Sequence, residues 1–173
     1  MDDAEETSKE VYARFGLAVY FAQVLEHGLV NAMVILQLLP HSRTAARDRE
    51  HWGAVVDGFM DHHFQTTLGR MIKAFREGSD VPPDLEGLLG RALEKRNWLA
   101  HHYFRVRADE FLTHAGRLRM LEELEAVRQL IEDADRALDS FVKPVRERYG
   151  ITDEWIEREL LRLEEAVGNG APS

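Results

Sequence analysis

Apolar positions recur at spacings of three and four along most of this chain, and that period predicts helices. Thr7 and Glu10 have capping-box spacing, which predicts a first helix from about Ser8. It should end at Leu39, before Pro40. A second helix, capped by Thr44, is predicted with Trp52, Val55, Val56, Phe59, His63, Leu68, Met71, Ile72 and Phe75 on its inner face. Gly78-Ser79-Asp80 and Pro82-Pro83 break the pattern. A third helix begins at Asp84, with Leu85, Leu88, Leu89, Ala92, Leu93, Leu99, Ala100 and Tyr103 on one stripe. The stretch Arg105 to Thr113 reads as a turn or a short helix. Leu121, Leu124, Val127, Ile131, Ala134, Leu138, Phe141 and Val145 mark a fourth long helix, which Pro144 should kink or end. Tyr149-Gly150 breaks the chain again. Thr152 can cap a last helix from Asp153 to about Val167.

No strand pattern or internal repeat is present. The expected fold is all-α, an up-and-down bundle of four long helices plus a C-terminal helix. The 173 residues suit one domain spanning 1–173, with a frayed, disordered tail at 168–173. The apolar run from Leu17 to Leu39 is long enough to cross a membrane. It carries Gln23, Glu26, His27 and Asn31, which favours a core helix and no membrane contact. The start Met-Asp-Asp-Ala-Glu-Glu has the wrong charge for a secretory signal, so a cytoplasmic location is expected.

Charge sharpens the picture. The net charge of −9 speaks against a broad nucleic-acid surface. Between Arg91 and Arg107, however, Arg91, Lys95, Arg96, Arg105 and Arg107 face Glu94 alone, a local balance of +4. Such an island suits local phosphate engagement, or is simply a solvated helix face. There is no cysteine, which excludes disulfides, thiolate catalysis and cysteine-ligated zinc. His51, His62 and His63 follow acidic residues, but no Glu-x-x-His or His-x-x-x-His pair exists to hold a metal. Glu110 and His114 come nearest. No phosphate-binding glycine loop, dinucleotide fingerprint or nucleophile elbow is present. Neither a metal nor a cofactor is expected.

The chemistry concentrates in Arg96-Asn97-Trp98-Leu99-Ala100-His101-His102-Tyr103. Arg96 falls in the middle of an apolar stripe, and a guanidinium aimed into a core needs a partner or a task. Its best partner is Glu26, which interrupts an apolar face formed by Ala22, Leu29 and Met33. Asn97 lies four positions before His101, on the same helical face, where it can orient the imidazole or a phosphate oxygen. Tyr103 lies on the apolar stripe, where an aromatic ring is usually core. His102 and Trp98 lie off it, as surface residues or subunit contacts.

The pattern Arg96-Asn97-x-x-x-His101 resembles the hallmark of the HEPN superfamily. With Tyr103 it is similar to the longer Arg-x4-His-x-Tyr form found in toxins paired with a nucleotidyltransferase antitoxin. The resemblance covers about Val11 to Phe141, and the last helix has no counterpart in it. It implies a HEPN-like bundle and a metal-independent endoribonuclease, acting as a toxin or defence effector on an RNA substrate. His101 would serve as base or acid, and Arg96 would stabilise charge on the phosphoryl oxygens. Histidine suits proton transfer because its unperturbed pKa lies near about 6.5. Arginine suits the charge because its fork binds phosphate oxygens in pairs. The resemblance also implies that Tyr103 can be adenylylated, provided its hydroxyl is exposed. Glu26 and His102 would support the site from behind. A different class of function is a catalytically silent module that binds a protein partner or a nucleotide.

Arg96 and His101 are five residues apart, about 140° around an ideal helix. One straight helix cannot easily aim both at one phosphate, and cleavage needs both an acid and a base. A homodimer whose two motif helices face each other is therefore expected.

Overall fold

The computed structural model describes residues 2–41 and 49–169, and within them there are helices and no strands. The elements are α1 (Asp2–Met33), α2 (Arg49–Phe64), α3 (Leu68–Gly78), α4 (Pro83–His101), α5 (Tyr103–Val106), α6 (Ala108–Phe111), α7 (His114–Arg148) and α8 (Asp153–Asn169). A π-helical turn, Val34–Leu38, and a 3-10 turn, Leu39–His41, follow α1. The expected cap Thr44 and the tail residues 170–173 lie outside the described residues; Gly168 and Asn169 belong to α8.

The core is built on α1 and α7. Val11, Ala18, Ala22, Leu25, Leu29 and Met33 are buried along α1. Met120, Leu124, Val127, Ile131, Ala134, Leu138 and Val142 are buried along α7. Within each series the steps are of three, four or seven residues, the spacing that keeps side chains on one face and seats them between those of another helix. Leu89, Ala92, Leu99 and Tyr103 close the core from α4 and α5; Leu68, Met71, Ile72 and Phe75 close it from α3. The segment Ala4–Leu38 is long and apolar enough to cross a membrane. It also supplies Leu25, Leu29 and Met33 to the core.

Contacts fix the directions. Glu26 meets Arg96 and Phe15 stacks on Tyr103, so α1 and α4 are antiparallel. Arg14 bonds Glu125, Gly28 abuts Asp135, and Thr7 lies beside His114, so α1 and α7 are parallel. A plain four-helix up-and-down bundle would make them antiparallel. The extra reversal lies in the second predicted helix, which is two helices rather than one. The chain leaves α2 at Gln65–Thr67, and Thr67 adopts an extended conformation (φ −77°, ψ 152°) and caps α3 through its hydroxyl. Thr66 ties its own hydroxyl to the His63 carbonyl at 2.7 Å. These local side-chain bonds compete with the helix and end it without glycine or proline.

Two other boundaries differ from expectation. The first helix begins before Ser8, whose hydroxyl bonds back to Ala4 O at 2.8 Å instead of capping. Glu5 and Glu6 favour that earlier start, since acidic groups stabilise a helix N-terminus. Pro144 does not end α7, which continues to Arg148. It is exposed, so the hydrogen bond it cannot donate is missing on the wet side of the helix. Gly116 marks a close approach: a Cβ there would overlap the Glu110 carbonyl, so α7 can start tight against α6. Gly150, at φ 78°, turns the chain between α7 and α8.

Candidate functional site at the end of α4

Pro83 opens α4, with Asp84 and Glu86 in its first turn. That is a favourable start, because proline lacks only an N–H that would be unpaired there and acids complement the helix dipole. The helix closes with His102 N–H donating to Trp98 O at 2.9 Å. His102 itself leaves the helical region (φ −133°, ψ −23°). That single change of direction separates its neighbours. His101 stays exposed on the last turn of α4, while Tyr103 turns into the core on α5.

Arg96 reaches across to α1. Its Nε and Nη2 each lie 3.1 Å from Glu26 Oε1, and Nη1 donates to Asn97 Oδ1 at 3.3 Å. The pairing anticipated from two charges on apolar faces is present. Its depth is not as anticipated: the Arg96 side chain is 33% exposed and Glu26 20%, at the rim of the α1–α4 seam rather than inside it. Asn97 is exposed one helical turn before His101. No hydrogen bond joins Asn97 to His101 among the described residues, and the imidazole faces solvent. The structure thus joins Glu26, Arg96 and Asn97, and leaves His101 accessible on its own.

His102 is engaged. Arg105 Nη2 lies 3.1 Å from His102 Nδ1, and a guanidinium can only donate. The His102 ring centre lies 6.2 Å from that of His101.

Tyr103 is 1% exposed. Its hydroxyl donates to Met120 O at 3.3 Å, and its ring packs on Phe15, Trp98 and Phe104. Burial pushes the phenol well above its usual ionisation range; Glu123 adds to the shift and Arg107 opposes it. Adenylylation requires an exposed hydroxyl, and this fold encloses it. Trp98, expected at the surface or in a subunit contact, is half-buried. It packs edge-on against Tyr103, with Lys95 Nζ 5.3 Å and Arg107 Cζ 5.7 Å from its ring centre.

The basic island is smaller than its sequence suggests. Arg107 makes a two-pronged pair with Glu123, at 2.8 Å and 2.6 Å, and reaches Glu110 at 3.2 Å. Glu110 at three residues' distance was visible in the chain; Glu123 arrives through the turn into α7. Arg91, Lys95 and Arg105 make no ion pair among the described residues. Those three remain as cations without a carboxylate partner on α4 and α5.

A larger groove lies elsewhere. It holds about 780 Å³ between α1, α2, α7 and the start of α8, lined by Val24, Ile35, Met60, Asp135, Leu138 and Val142 among others. Neither Arg96 nor His101 touches it. Within one chain the motif sits on an open wall, not in that groove. No three His, Asp or Glu side chains converge to hold a metal ion among the described residues. A scan against protein-family models, a search of curated proteins and a search of solved structures each found no match to this chain.

Proposed function

We propose that this chain is a HEPN-type, metal-independent endoribonuclease, acting as a toxin or defence effector in the cytoplasm. The observation that carries the reading is an exposed His101 on the last turn of the same helix whose Arg96 is held at the rim by Glu26. Glu26 fixes one edge of the guanidinium, and the remaining N–H groups can meet a phosphate. The imidazole of His101 removes the proton from a 2′-hydroxyl, whose oxygen attacks the adjacent phosphorus. Arg96 offsets the charge that builds on the phosphoryl oxygens. A second imidazole gives its proton to the departing 5′-oxygen, and a 2′,3′-cyclic phosphate remains.

One chain presents one such imidazole. A two-fold dimer across α4 supplies the other and turns two open walls into a cleft. Arg91, Lys95 and Arg105, doubled across that axis, offset the acidic remainder of the protein where RNA would lie. A nucleotidyltransferase antitoxin belongs to the same reading. To act on Tyr103 it would first have to draw α5 away from Met120.

A silent, partner-binding module is the second reading. What favours it is that Arg96 and Arg107 already have carboxylate partners. Incubation with total RNA in excess EDTA separates the two. Under the first reading cleavage persists and leaves 2′,3′-cyclic or 3′-phosphate ends. Activity lost to chelator and restored by a divalent ion overturns the mechanism, and absence of any cleavage favours the silent module. Light scattering addresses the dimer: a monomer with full specific activity eliminates the composite site.

A further inference from the structure

The last helix is firmly held at one end and uncovered along the rest. Its first turn is fixed to α7. Thr152 Oγ1 accepts the Trp155 N–H at 3.2 Å, and Arg146 Nη1 donates to Ile151 O at 2.9 Å. The Asp153 carboxylate is held by both Lys143 and Arg146. Beyond that turn the apolar residues have no cover. Leu160 is 54% exposed, Leu161 59%, Leu163 61% and Val167 75%, and all but Leu161 share one face.

Those residues are not scattered. Ile156, Leu160, Leu163 and Val167 follow spacings of four, three and four, the stripe of a helix that pairs with another helix. Isolated exposed leucines need no explanation, but a heptad seam on one helix does. Glu157, Glu159 and Glu164 flank the seam. Arg162, the nearer basic residue, is already bonded to Glu159 at 3.0 Å. The segment from Asp153 to Asn169 carries six acidic residues against two arginines.

The flanks decide the occupant. In a parallel pair of α8 helices, Glu159 of one copy meets Glu164 of the other. In an antiparallel pair, Glu159 meets Glu159, and Glu157 and Glu164 meet each other. Either direction sets acid against acid, which disfavours a second copy. An anionic lipid surface is repelled for the same reason. We infer that α8 is the docking site for an amphipathic helix of a partner protein, one whose apolar stripe is flanked by lysine and arginine. The anchor at Arg146 presents the seam in a fixed direction, and the facing charges select the partner.

The test uses the full chain and two synthetic peptides about three heptads long, with leucine at the seam positions. One carries lysine at the flanking positions and the other glutamate. By titration calorimetry the lysine peptide should bind at least about tenfold more tightly. Glu157→Lys, Glu159→Lys and Glu164→Lys combined should reverse that preference. Leu160→Glu with Leu163→Glu should abolish binding of both peptides, with the circular dichroism of the bundle preserved. Equal binding of the two peptides, or none, overturns the inference. So does self-association that disappears in the Leu160→Glu, Leu163→Glu variant, which would make a second copy the occupant. A dimer through α4 is unaffected by those changes, so this outcome is distinct from the fate of the ribonuclease reading.

Discussion

Arg96 and Arg146 show two ways a bundle can hold a cation. The Arg146 side chain is 5% exposed and bonds a backbone carbonyl and the Asp153 carboxylate, with Asp139 at 3.6 Å. Its two Nη groups are spent within the protein, while the buried Nε has no hydrogen bond among the described residues. Arg96 is 33% exposed and has one carboxylate and one amide. The difference is where the partners come from. Arg146 is surrounded by its own corner, Ile151 to Asp153, which the turn at Gly150 folds back over α7. Arg96 has a neighbouring helix on one side and water on the other, so one side of its guanidinium is available to an incoming anion. Burial turns an arginine into a rivet, whereas half-burial leaves it able to bind.

The comparison predicts a graded set of effects. The largest is expected for His101→Ala, which should reduce RNA cleavage at least about 100-fold. Its exposed position limits the change in stability to within about 0.5 kcal/mol by urea denaturation. A variant that unfolds instead would place His101 in the architecture. Arg146→Ala should lower stability by about 2 kcal/mol, because it leaves the Ile151 carbonyl and the Asp153 carboxylate without their buried partner. Hydrogen exchange should then speed up through Ile151–Ile156 while α4 is unchanged. Equal exchange in both proteins would deny Arg146 its anchoring role.

Arg96→Ala should cost about 1 kcal/mol or less, since its pair is partly exposed, yet lower cleavage, though by less than His101→Ala does. If it unfolds the protein, Arg96 and Arg146 are the same kind of residue and the contrast collapses. The smallest effect concerns pH. Hydrogen bonds from Lys143 and then Arg146 hold Asp153 below its ordinary value of 3.8. A carboxylate with a depressed folded-state pKa stabilises fully above its unfolded pKa and ceases to do so as pH falls through the depressed value. The α8 anchor should therefore be intact at neutral pH and weaken only below pH 3.8. Hydrogen exchange at Trp155 and Ile156 across that range checks it; loosening near neutrality would contradict the assignment.

Several of these features were legible in the chain. Glu26 and Arg96 each interrupt an apolar face, and two such interruptions of opposite sign imply one another. Tyr103 on the stripe foretold its burial. The turn at His102 that hides Tyr103 and bares His101 left no mark, because it depends on the packing of Phe15 and Met120 against the tyrosine. The split at Gln65–Thr67 was hidden by an apolar period that runs through it without glycine or proline. Helical period also carries no direction, so the parallel course of α1 and α7 could not be read. Arg146 looked like one of several arginines near the end of α7. Its burial requires the corner that Gly150 makes, which is a contact between elements and not a pattern within one.

The parallel pairing of α1 and α7 has a consequence for how the chain acquires its shape. The contacts that join these helices link residues 107 and 111 positions apart. Such distant partners raise contact order and slow folding. During synthesis, α1 emerges first and keeps its apolar face uncovered until α7 has been made. Assembly of the central core is thus postponed until α7 has been made, and with it the scaffold that sets Arg96 against Glu26. The order of the helices delays the protein's own maturation.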